Sequence, residues 1–481
     1  MTPSTLAFRP TTRPFALWGR LSGLVVFAAL VTSASARAQG TPTAAGAAAK
    51  VVSVSPLKLE VTLDRANWTY ALGETAKFTV RALRDGSPVP GTKIHYSIGF
   101  EKMPPLQTGD TAMNETSISF DTGPINTAGF VSCEVEVELE GRTYKGRAAA
   151  GFSPEKILPS VQDPKDFDAF WQGGRKQLAA LPIDARVLPA PERSGPGVDC
   201  STVSLQNVGH GKQPSAPKSG PTPSRLYGVL CEPQGPGPFP ALLLVPGAGV
   251  RSYKGSADLA AKGIITLTVG IHGIPVNMED EVYDSLGKGA LANYPNINSD
   301  DKDLYYYRRV YLGAVRGNDF LVSRPRWDKH HLGVMGGSQG GALAITTAGL
   351  DKRVTALVSY FPALSDHAGF LNGRSGGWPF LLRQEEARTP ARIATLAYFD
   401  VVNFARRVIA PGFYSWGYND ETCPPTSTFA AYNVVKAPKV LTVALANGHN
   451  TTPEQSAQAE DWLWGRLGIV TNRPPATGTT K

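Results

Sequence analysis

The sequence predicts an α/β fold in which a mostly parallel, doubly wound sheet follows a small antiparallel β-sandwich of immunoglobulin type. Two observations lead to this prediction. Between residues 54 and 150, short runs alternate between apolar and polar residues, with turn residues between them, which is typical of antiparallel strands. After residue 240, unbroken apolar runs alternate with helical stretches, as expected for parallel strands covered by helices on both faces.

Residues 1–38 have the pattern of a cleaved secretory signal peptide. Three arginines precede an apolar run over residues 21–31, and small residues lead up to Ala38. The run is shorter than the roughly 20 residues that a membrane-spanning helix needs. We expect cleavage after Ala38, export to the periplasm or the medium, and no membrane association of the mature chain. Residues 39–53 then form a linker rich in Ala, Gly, Thr and Pro.

The charge and composition exclude several classes of function. The formal net charge is +8, but four arginines and no acidic residue lie in the predicted signal peptide, which leaves +4 for the mature chain. Such a weak positive bias argues against nucleic acid as a partner. Hydrophobic residues make up 42% of the chain and charged residues 18%, which indicates a globular rather than a disordered protein.

The predicted sandwich, residues 54–150, contains five alternating runs but no set of residues that points to chemistry. The runs cover residues 57–63, 76–82, 93–98, 117–120 and 130–139. We expect this domain to have a structural or docking role, with carbohydrate binding as the alternative.

Two of the four cysteines lie in runs that predict a β-hairpin. Cys200 begins a strand-like run that ends at residue 208, and Cys231 ends another that begins at residue 224. In an antiparallel hairpin these cysteines face each other near its open end, and an exported protein meets oxidising conditions. The pattern favours a Cys200–Cys231 disulfide or, alternatively, two buried free thiols.

The second domain is predicted over residues 155–470, with a flexible tail at residues 471–481. A helix over residues 163–181 carries Phe167, Phe170 and Trp171 on one face. Strands are predicted at residues 241–245, 263–269, 332–335, 356–360, 412–416 and 440–445, and helices at 256–262, 303–321, 339–349, 426–435 and 454–467.

The most informative segment is residues 336–341 (GGSQGG), which lies between an apolar strand and an alanine-rich helix. A serine on a sharp strand-to-helix turn exposes its hydroxyl above the sheet, and the glycines on either side allow the neighbouring chains to approach. The pattern predicts Ser338 as a nucleophile.

A serine nucleophile needs a base and a carboxylate that orients the base. In this arrangement the chain order is Ser, then Asp or Glu, then His. His449 follows the last predicted strand and is the histidine in the right place. Asp420 follows the penultimate strand, and its neighbour Glu421 is the alternative acid. The oxyanion also needs two backbone donors, for which we expect the amides of Gln339 and Ala248.

At these motifs the sequence resembles the acetyl xylan esterase/cephalosporin C deacetylase family, carbohydrate esterase family 7. The resemblance rests on residues 166–171 (DFDAFW), 311–316 (YLGAVR), the GGSQGG segment, Asp420 followed by 423–425 (CPP), and Gly448-His449. It implies an α/β-hydrolase fold, a triad of Ser338, Asp420 and His449, an oxyanion hole of Ala248 and Gln339, and no metal or cofactor.

The sequence departs from the family pattern at two turns. Residues 246–248 (PGA) replace the family's His-Gly-Tyr, and residues 270–273 (GIHG) replace its Arg-Gly-Gln-Gly. His272 therefore either lines the substrate pocket or belongs to a structural turn. Trp378 and the tyrosines 305–307 lie in segments that either reach the pocket or pack in the core. The family's oligomer is possible here too, although the sandwich is an addition.

The function expected from this pattern is a secreted serine esterase that removes acetyl groups from carbohydrates such as acetylated xylan or xylo-oligosaccharides. Three alternatives stay open. They are a peptidase of the prolyl-oligopeptidase kind, an esterase for another polymer, and a catalytically inactive protein whose sandwich binds glycan. Hydrolysis of dipeptide amides without ester hydrolysis would favour the peptidase.

Overall fold

The computed structural model describes residues 56–209 and 224–469. The predicted signal peptide, linker and C-terminal tail, and most of the loop between the two hairpin strands, lie outside these residues. None of the helices in the described part of the chain has the length and apolar character needed to cross a membrane.

The N-terminal region consists of nine strands in two sheets. The strands are β1 (Lys58–Leu63), β2 (Thr69–Tyr70), β3 (Lys77–Arg84), β4 (Ser87–Pro88), β5 (Thr92–Phe100), β6 (Gln107–Met113), β7 (Ile118–Asp121), β8 (Gly129–Leu139) and β9 (Arg142–Phe152). One sheet has the order β1-β3-β4, with β7 also paired to β3, and the other has the order β2-β9-β8-β5-β6. All pairs are antiparallel except β2–β9.

Alternation along these strands buries one face of each sheet. Phe78 and Val80 of β3 are fully buried, as are Ile98 of β5 and Val135 of β8, and all four belong to one apolar core. The runs predicted from the sequence correspond to β1, β3, β5, β7 and β8, whereas β2, β4, β6 and β9 were not predicted. The strand β9 has no clear alternation, because its last five residues, which include three alanines, are all buried.

The second region is built around a nine-stranded sheet. Its strands are β10 (Arg186–Pro189), β11 (Val198–Asn207), β12 (Ser224–Pro233), β13 (Phe239–Leu244), β14 (Ile265–Gly270), β15 (Trp327–Gly337), β16 (Ala356–Tyr360), β17 (Gly412–Gly417) and β18 (Lys439–Ala444). Their order is β10-β11-β12-β14-β13-β15-β16-β17-β18. The pairs from β14 to β18 are parallel, and those from β10 to β14 are antiparallel.

Nine α-helices accompany this sheet in the described residues. They are α1 (Phe167–Ala179), α2 (Ala257–Ala260), α3 (Asp280–Lys288), α4 (Tyr306–Val322), α5 (Gln339–Leu350), α6 (Pro390–Phe399), α7 (Val401–Ala405), α8 (Pro425–Asn433) and α9 (Pro453–Arg466). The sequence reading missed α3, α6 and α7. The predicted helix over residues 256–262 is only the four residues of α2, in a segment bounded by Gly255 and Gly263, which both have positive φ.

The parallel strands explain where the predicted site residues meet. Strand β13 is buried on both faces, with Ala241, Leu242 and Leu243 fully inaccessible. In a parallel sheet the carboxyl ends of the strands share one edge, which is where ligands bind in such folds. Ser338 follows β15, Asp420 follows β17 and His449 follows β18, so the fold brings all three to that edge.

The hairpin β11–β12 places Cys200 directly opposite Cys231. The structure joins their sulfur atoms at 1.98 Å, and the two positions are separated by 31 in sequence. The other two cysteines, Cys133 and Cys423, are free and buried.

Candidate active site

Ser338 occupies a strained turn between β15 and α5. Its φ and ψ are 60° and −123°, a conformation that costs a non-glycine residue about 1–3 kcal/mol. The turn requires glycine on both sides of the serine. A Cβ atom on Gly336 would lie 2.6 Å from the backbone of Gly340, and one on Gly340 would lie 2.4 Å from the carbonyl oxygen of Val245. Close packing of three backbone segments therefore holds the serine in this conformation.

Ser338, His449 and Asp420 form a continuous chain of hydrogen bonds. The hydroxyl oxygen of Ser338 lies 2.9 Å from His449 Nε2, and His449 Nδ1 lies 2.8 Å from Asp420 Oδ2 and 3.0 Å from Oδ1. An ionised carboxylate only accepts hydrogen bonds, so Nδ1 carries the proton and Nε2 is free to accept the serine hydroxyl. This tautomer is the one that an imidazole needs to act as a base towards serine.

The Asp420 side chain is fully buried and is held in place by its own loop. Its Oδ1 atom accepts hydrogen bonds from the backbone amides of Thr422, at 2.9 Å, and Cys423, at 2.8 Å. The alternative acid, Glu421, has a side chain that is 55% exposed and lies near Lys102 and Arg147. The structure therefore places Asp420, and not Glu421, beside the histidine.

Ala248 lies in the turn that follows β13, residues 246–249, which we call the oxyanion turn. A Cβ atom on Gly247 would be 4.0 Å from the Cβ atom of Ser338, so this turn lies against the nucleophile. Gln339 is the first residue of α5 and is fully buried. The two residues expected to supply amide donors thus lie on neighbouring segments beside Ser338.

The side chain of Gln339 links the nucleophile to the oxyanion turn. Its Oε1 atom accepts hydrogen bonds from the hydroxyls of Tyr294, at 2.7 Å, and Tyr307, at 2.8 Å. Its Nε2 atom donates a longer bond, 3.4 Å, to the carbonyl oxygen of Pro246. Sequence reasoning considered only the backbone amide of Gln339 and did not identify Tyr294, which lies in a short turn far from the motif.

His272 lies behind the oxyanion turn, with both ring nitrogens engaged. Its Nε2 atom is 2.9 Å from the carbonyl oxygen of Gly249, and its Nδ1 atom is 2.6 Å from the hydroxyl of Tyr306. Because a carbonyl oxygen only accepts, Nε2 donates and Nδ1 accepts the tyrosine proton. Burial lowers the pKa of His272 to about 4, so the ring is neutral at physiological pH. Of the two interpretations left open by the sequence, the engagement of both ring nitrogens favours the structural turn.

The aromatic residues whose segments could either reach the pocket or pack in the core are packed against the core. Tyr305, Tyr306 and Tyr307 are at most 1% exposed and belong to the core. Trp378 is half-buried against the same core, and its carbonyl oxygen accepts a hydrogen bond from the amide of Leu364. The ring that contacts His449 is that of Phe361, with the ring centroids 4.5 Å apart. No sequence motif marked Phe361, since it follows an ordinary buried strand.

A positively charged side chain lies next to the oxyanion turn. Arg251 is exposed, and its Nη2 atom lies 3.4 Å from the carbonyl oxygen of Gly247.

Among the residues that the structure describes, no group of three or more His, Cys, Asp or Glu side chains is arranged to hold a metal ion. The chemistry that the described side chains can supply is nucleophilic acyl transfer, in which a histidine takes the proton of an attacking serine.

Two comparisons of the sequence with known proteins cover most of the chain. The family model for acetyl xylan esterase matches residues 155–465. The acetyl esterase Axe7A of Xylanibacter ruminicola is 36% identical over 409 residues, which cover 83% of this chain and 88% of that protein.

Solved structures of similar fold include two acetyl xylan esterases. The enzyme from Paenibacillus sp. R4 has a TM-score of 0.54 and 26% identity, covering 65% of this chain and 98% of its own. The enzyme from Thermoanaerobacterium sp. JW/SL YS485 has a TM-score of 0.55 and 21% identity, covering 65% and 97%. The chain therefore belongs to the acetyl xylan esterase family, and it is a carboxylic ester hydrolase with an α/β-hydrolase fold.

Proposed function

We propose that this chain is a secreted serine esterase that removes acetyl groups from carbohydrates, such as acetylated xylan or xylo-oligosaccharides. The observation that supports it most directly is the hydrogen-bonded chain of Ser338, His449 and Asp420 at the carboxyl edge of the parallel sheet. The acetyl substrate follows from the names of the relatives, an acetyl esterase and acetyl xylan esterases.

In the proposed reaction, Ser338 Oγ attacks the acetyl carbonyl carbon while His449 Nε2 takes the hydroxyl proton. The backbone amides of Ala248 and Gln339 donate to the oxyanion of the tetrahedral intermediate. Asp420 accepts the Nδ1 hydrogen of His449 and stabilises the imidazolium. His449 then protonates the departing sugar oxygen as the carbon–oxygen bond breaks, which leaves an acetyl-serine.

The second half of the reaction releases acetate. A water molecule gives a proton to His449 Nε2 and attacks the acetyl-serine carbonyl, with the same two amides donating to the oxyanion. Collapse of this intermediate breaks the bond to Ser338 Oγ, which recovers its proton from His449. The products are acetate and the deacetylated sugar.

The proposal also covers the predicted signal peptide and the N-terminal domain. Residues 1–38 direct export and are removed after Ala38, and the mature protein does not associate with membranes or nucleic acid. The N-terminal strands form an immunoglobulin-like domain over residues 54–150 that supports the esterase domain of residues 155–470. The two antiparallel sheets with a shared apolar core support that assignment.

The test is acetate release from acetylated xylo-oligosaccharides by the mature protein. Ser338→Ala is expected to lower the rate on the order of a thousandfold or more, because the nucleophile is lost. The matched control is Ser285→Ala, an exposed serine of α3, which should behave like the parent protein. Hydrolysis of an aryl acetate without acetate release from the sugar would keep the esterase and reject the carbohydrate substrate. Cleavage of dipeptide amides alone would reject the esterase.

A further inference from the structure

The loop that carries Asp420 is packed against the N-terminal sheets. We call residues 418–426, between β17 and the first turn of α8, the acid loop. Residues of β8, β9 and the turn after β5 contact it from the other region of the chain. The contacts are polar, charged and apolar, and they flank Asp420 on both sides in sequence.

The residues next to Asp420 are held by β9 and by the turn after β5. Asn419 Nδ2 donates a 3.0 Å hydrogen bond to the backbone carbonyl of Arg147. On the other side, Glu421 Oε1 lies 3.5 Å from Lys102 Nζ and 3.6 Å from Arg147 Nη1. The Arg147 side chain is only 12% exposed, so it is partly shielded from solvent. Both neighbours of Asp420 are therefore tied to the N-terminal region.

Thr426, at the end of the acid loop, forms two hydrogen bonds with the N-terminal region. The backbone amide of Thr426, which lies in the first turn of α8, donates to Glu101 Oε2 at 3.1 Å. The hydroxyl oxygen of the same residue accepts a 3.1 Å hydrogen bond from the backbone amide of Phe130. A carboxylate near the first turn of a helix also interacts favourably with the helix dipole.

The apolar contact is made by Phe130 of β8, which is fully buried. Its ring packs edge-on against Tyr418 at the start of the acid loop, with centroids 4.7 Å apart. It also stacks with Phe429 of α8 at 5.6 Å. One residue of the N-terminal sheets thus contacts the loop at its start and the helix that follows it.

Glu101 is an unusual residue to find at such a junction. It is 2% exposed, and its Oε1 atom has no hydrogen-bond partner in the described part of the chain. Burying a carboxylate is costly unless its interactions compensate. The interaction that Glu101 gains in this buried place is the hydrogen bond that its Oε2 atom accepts from the amide of Thr426.

We propose that the N-terminal sheets are part of the catalytic unit, with Glu101 as a positioning residue that fixes the acid loop so that Asp420 stays aligned with His449. This inference rests on the proposed role of Asp420. Glu101 itself touches no reacting atom and acts through the amide of Thr426. The N-terminal region is then required for turnover even with a small soluble substrate that no carbohydrate-binding surface could help to capture.

The first experiment compares three variants of the whole mature protein on an aryl acetate. Glu101→Ala should lower kcat about ten- to a hundredfold with little change in KM, because displacement of a catalytic group affects the chemical step. Glu101→Gln should restore most of kcat, since its amide oxygen accepts the Thr426 hydrogen bond. The control for lost stability is Val80→Ala, a fully buried residue of β3, which should lower Tm without lowering kcat below the unfolding temperature.

A double-mutant cycle separates positioning through Asp420 from general damage. In the Asp420→Asn background, Glu101→Ala should reduce kcat by far less than it does in the parent protein, because the alignment it protects is already lost. An equal reduction in both backgrounds, or an unchanged kcat in Glu101→Ala alone, would overturn the proposal. If Asp420→Asn itself kept full activity, the proposed function of Asp420 would fail instead.

A second variant keeps the test decisive if Glu101→Ala does not fold. Asn419→Ala removes the hydrogen bonds from Asn419 Nδ2 to the carbonyl oxygens of Arg147, at 3.0 Å, and Ala446, at 3.3 Å. We expect a severalfold loss of kcat that again disappears in the Asp420→Asn background. Absence of any loss in a folded Asn419→Ala protein would count against the N-terminal sheets as a support for the loop.

Discussion

The two ends of the active site are held in place by different parts of the molecule. At the nucleophile end, Tyr294 and Tyr307 bind the side chain of Gln339, and His272 binds the oxyanion turn, all from within the nine-stranded region. At the acid end, Glu101 and the carbonyl of Arg147 bind the acid loop from the N-terminal sheets.

The chemistry of the two ends also differs. The nucleophile end is held by neutral groups, because burial lowers the pKa of His272 to about 4 and raises the pKa of Tyr306 to about 12. At the acid end, burial raises the pKa of Glu101 to about 7, with Arg147 opposing and Asp420 reinforcing the shift. The hydrogen bonds of His272 and Tyr306 therefore stay unchanged over the pH range in which Glu101 gains or loses its charge.

The largest expected effect is that of Asp420→Asn. An asparagine can present its amide N–H to His449 and so favour the wrong imidazole tautomer, and we expect kcat to fall by about four orders of magnitude. Steady-state kinetics on an aryl acetate measure this loss, with Glu421→Gln as the comparison. Similar losses in both variants would mean that the acid loop as a whole, and not one carboxylate, matters.

Removal of two hydroxyls tests the nucleophile end. In Tyr294→Phe/Tyr307→Phe, Gln339 Oε1 loses both donors, and an unsatisfied buried acceptor costs about 1–3 kcal/mol of stability. We expect kcat to fall about tenfold, because Gln339 no longer holds the turn that carries Ser338 against the oxyanion turn. The matched control is Tyr305→Phe, whose hydroxyl donates to the carbonyl of Pro295 instead. If Tyr305→Phe lowers kcat equally, the hydroxyls of Tyr294 and Tyr307 contribute through general core packing and not through Gln339.

His272 should make stability depend on pH in the acid range. Its folded pKa lies below the unfolded value of 6.5, so the unfolded state binds more protons between these values. The contribution of the neutral ring is present above pH 6.5 and is lost as the pH falls towards 4. In His272→Gln this loss disappears, and the difference in urea midpoint from the parent protein should change between pH 7 and 4.5. A constant difference would contradict a neutral buried His272.

The smallest effect is expected from Glu101→Gln on stability, with the opposite sign of pH dependence. The folded pKa of Glu101 is raised above its ordinary 4.5, so the folded state keeps the proton longer than the unfolded state. Stability contributed by this residue therefore falls as the pH rises from 4.5 through 7. Relative to the parent protein, Glu101→Gln should gain in urea midpoint from pH 5 to pH 8. A decreasing difference would mean that Glu101 is stabilised as a carboxylate.

Much of the site could be predicted from sequence because its signals are local. The strand, G-x-S-x-G and helix around Ser338 are contiguous, and the glycines are required by contacts within a few residues and one neighbouring strand. Chain order then selected Asp420 and His449, since each follows its own apolar strand. The facing cysteines of the β11–β12 hairpin are likewise adjacent elements in sequence.

Other parts of the site could not be predicted because they depend on contacts between distant segments. The sequence left the role of His272 open, and the bonds to Gly249 and Tyr306 that favour a structural role join it to other segments of the chain. No motif in the alternating runs of residues 54–150 marked Glu101, whose partner Thr426 is 325 residues away. By itself the sequence determined which residues are the candidates for the chemistry. Only the tertiary structure decided what holds them, because a hydrogen bond between distant segments leaves no periodic or contiguous pattern in either one.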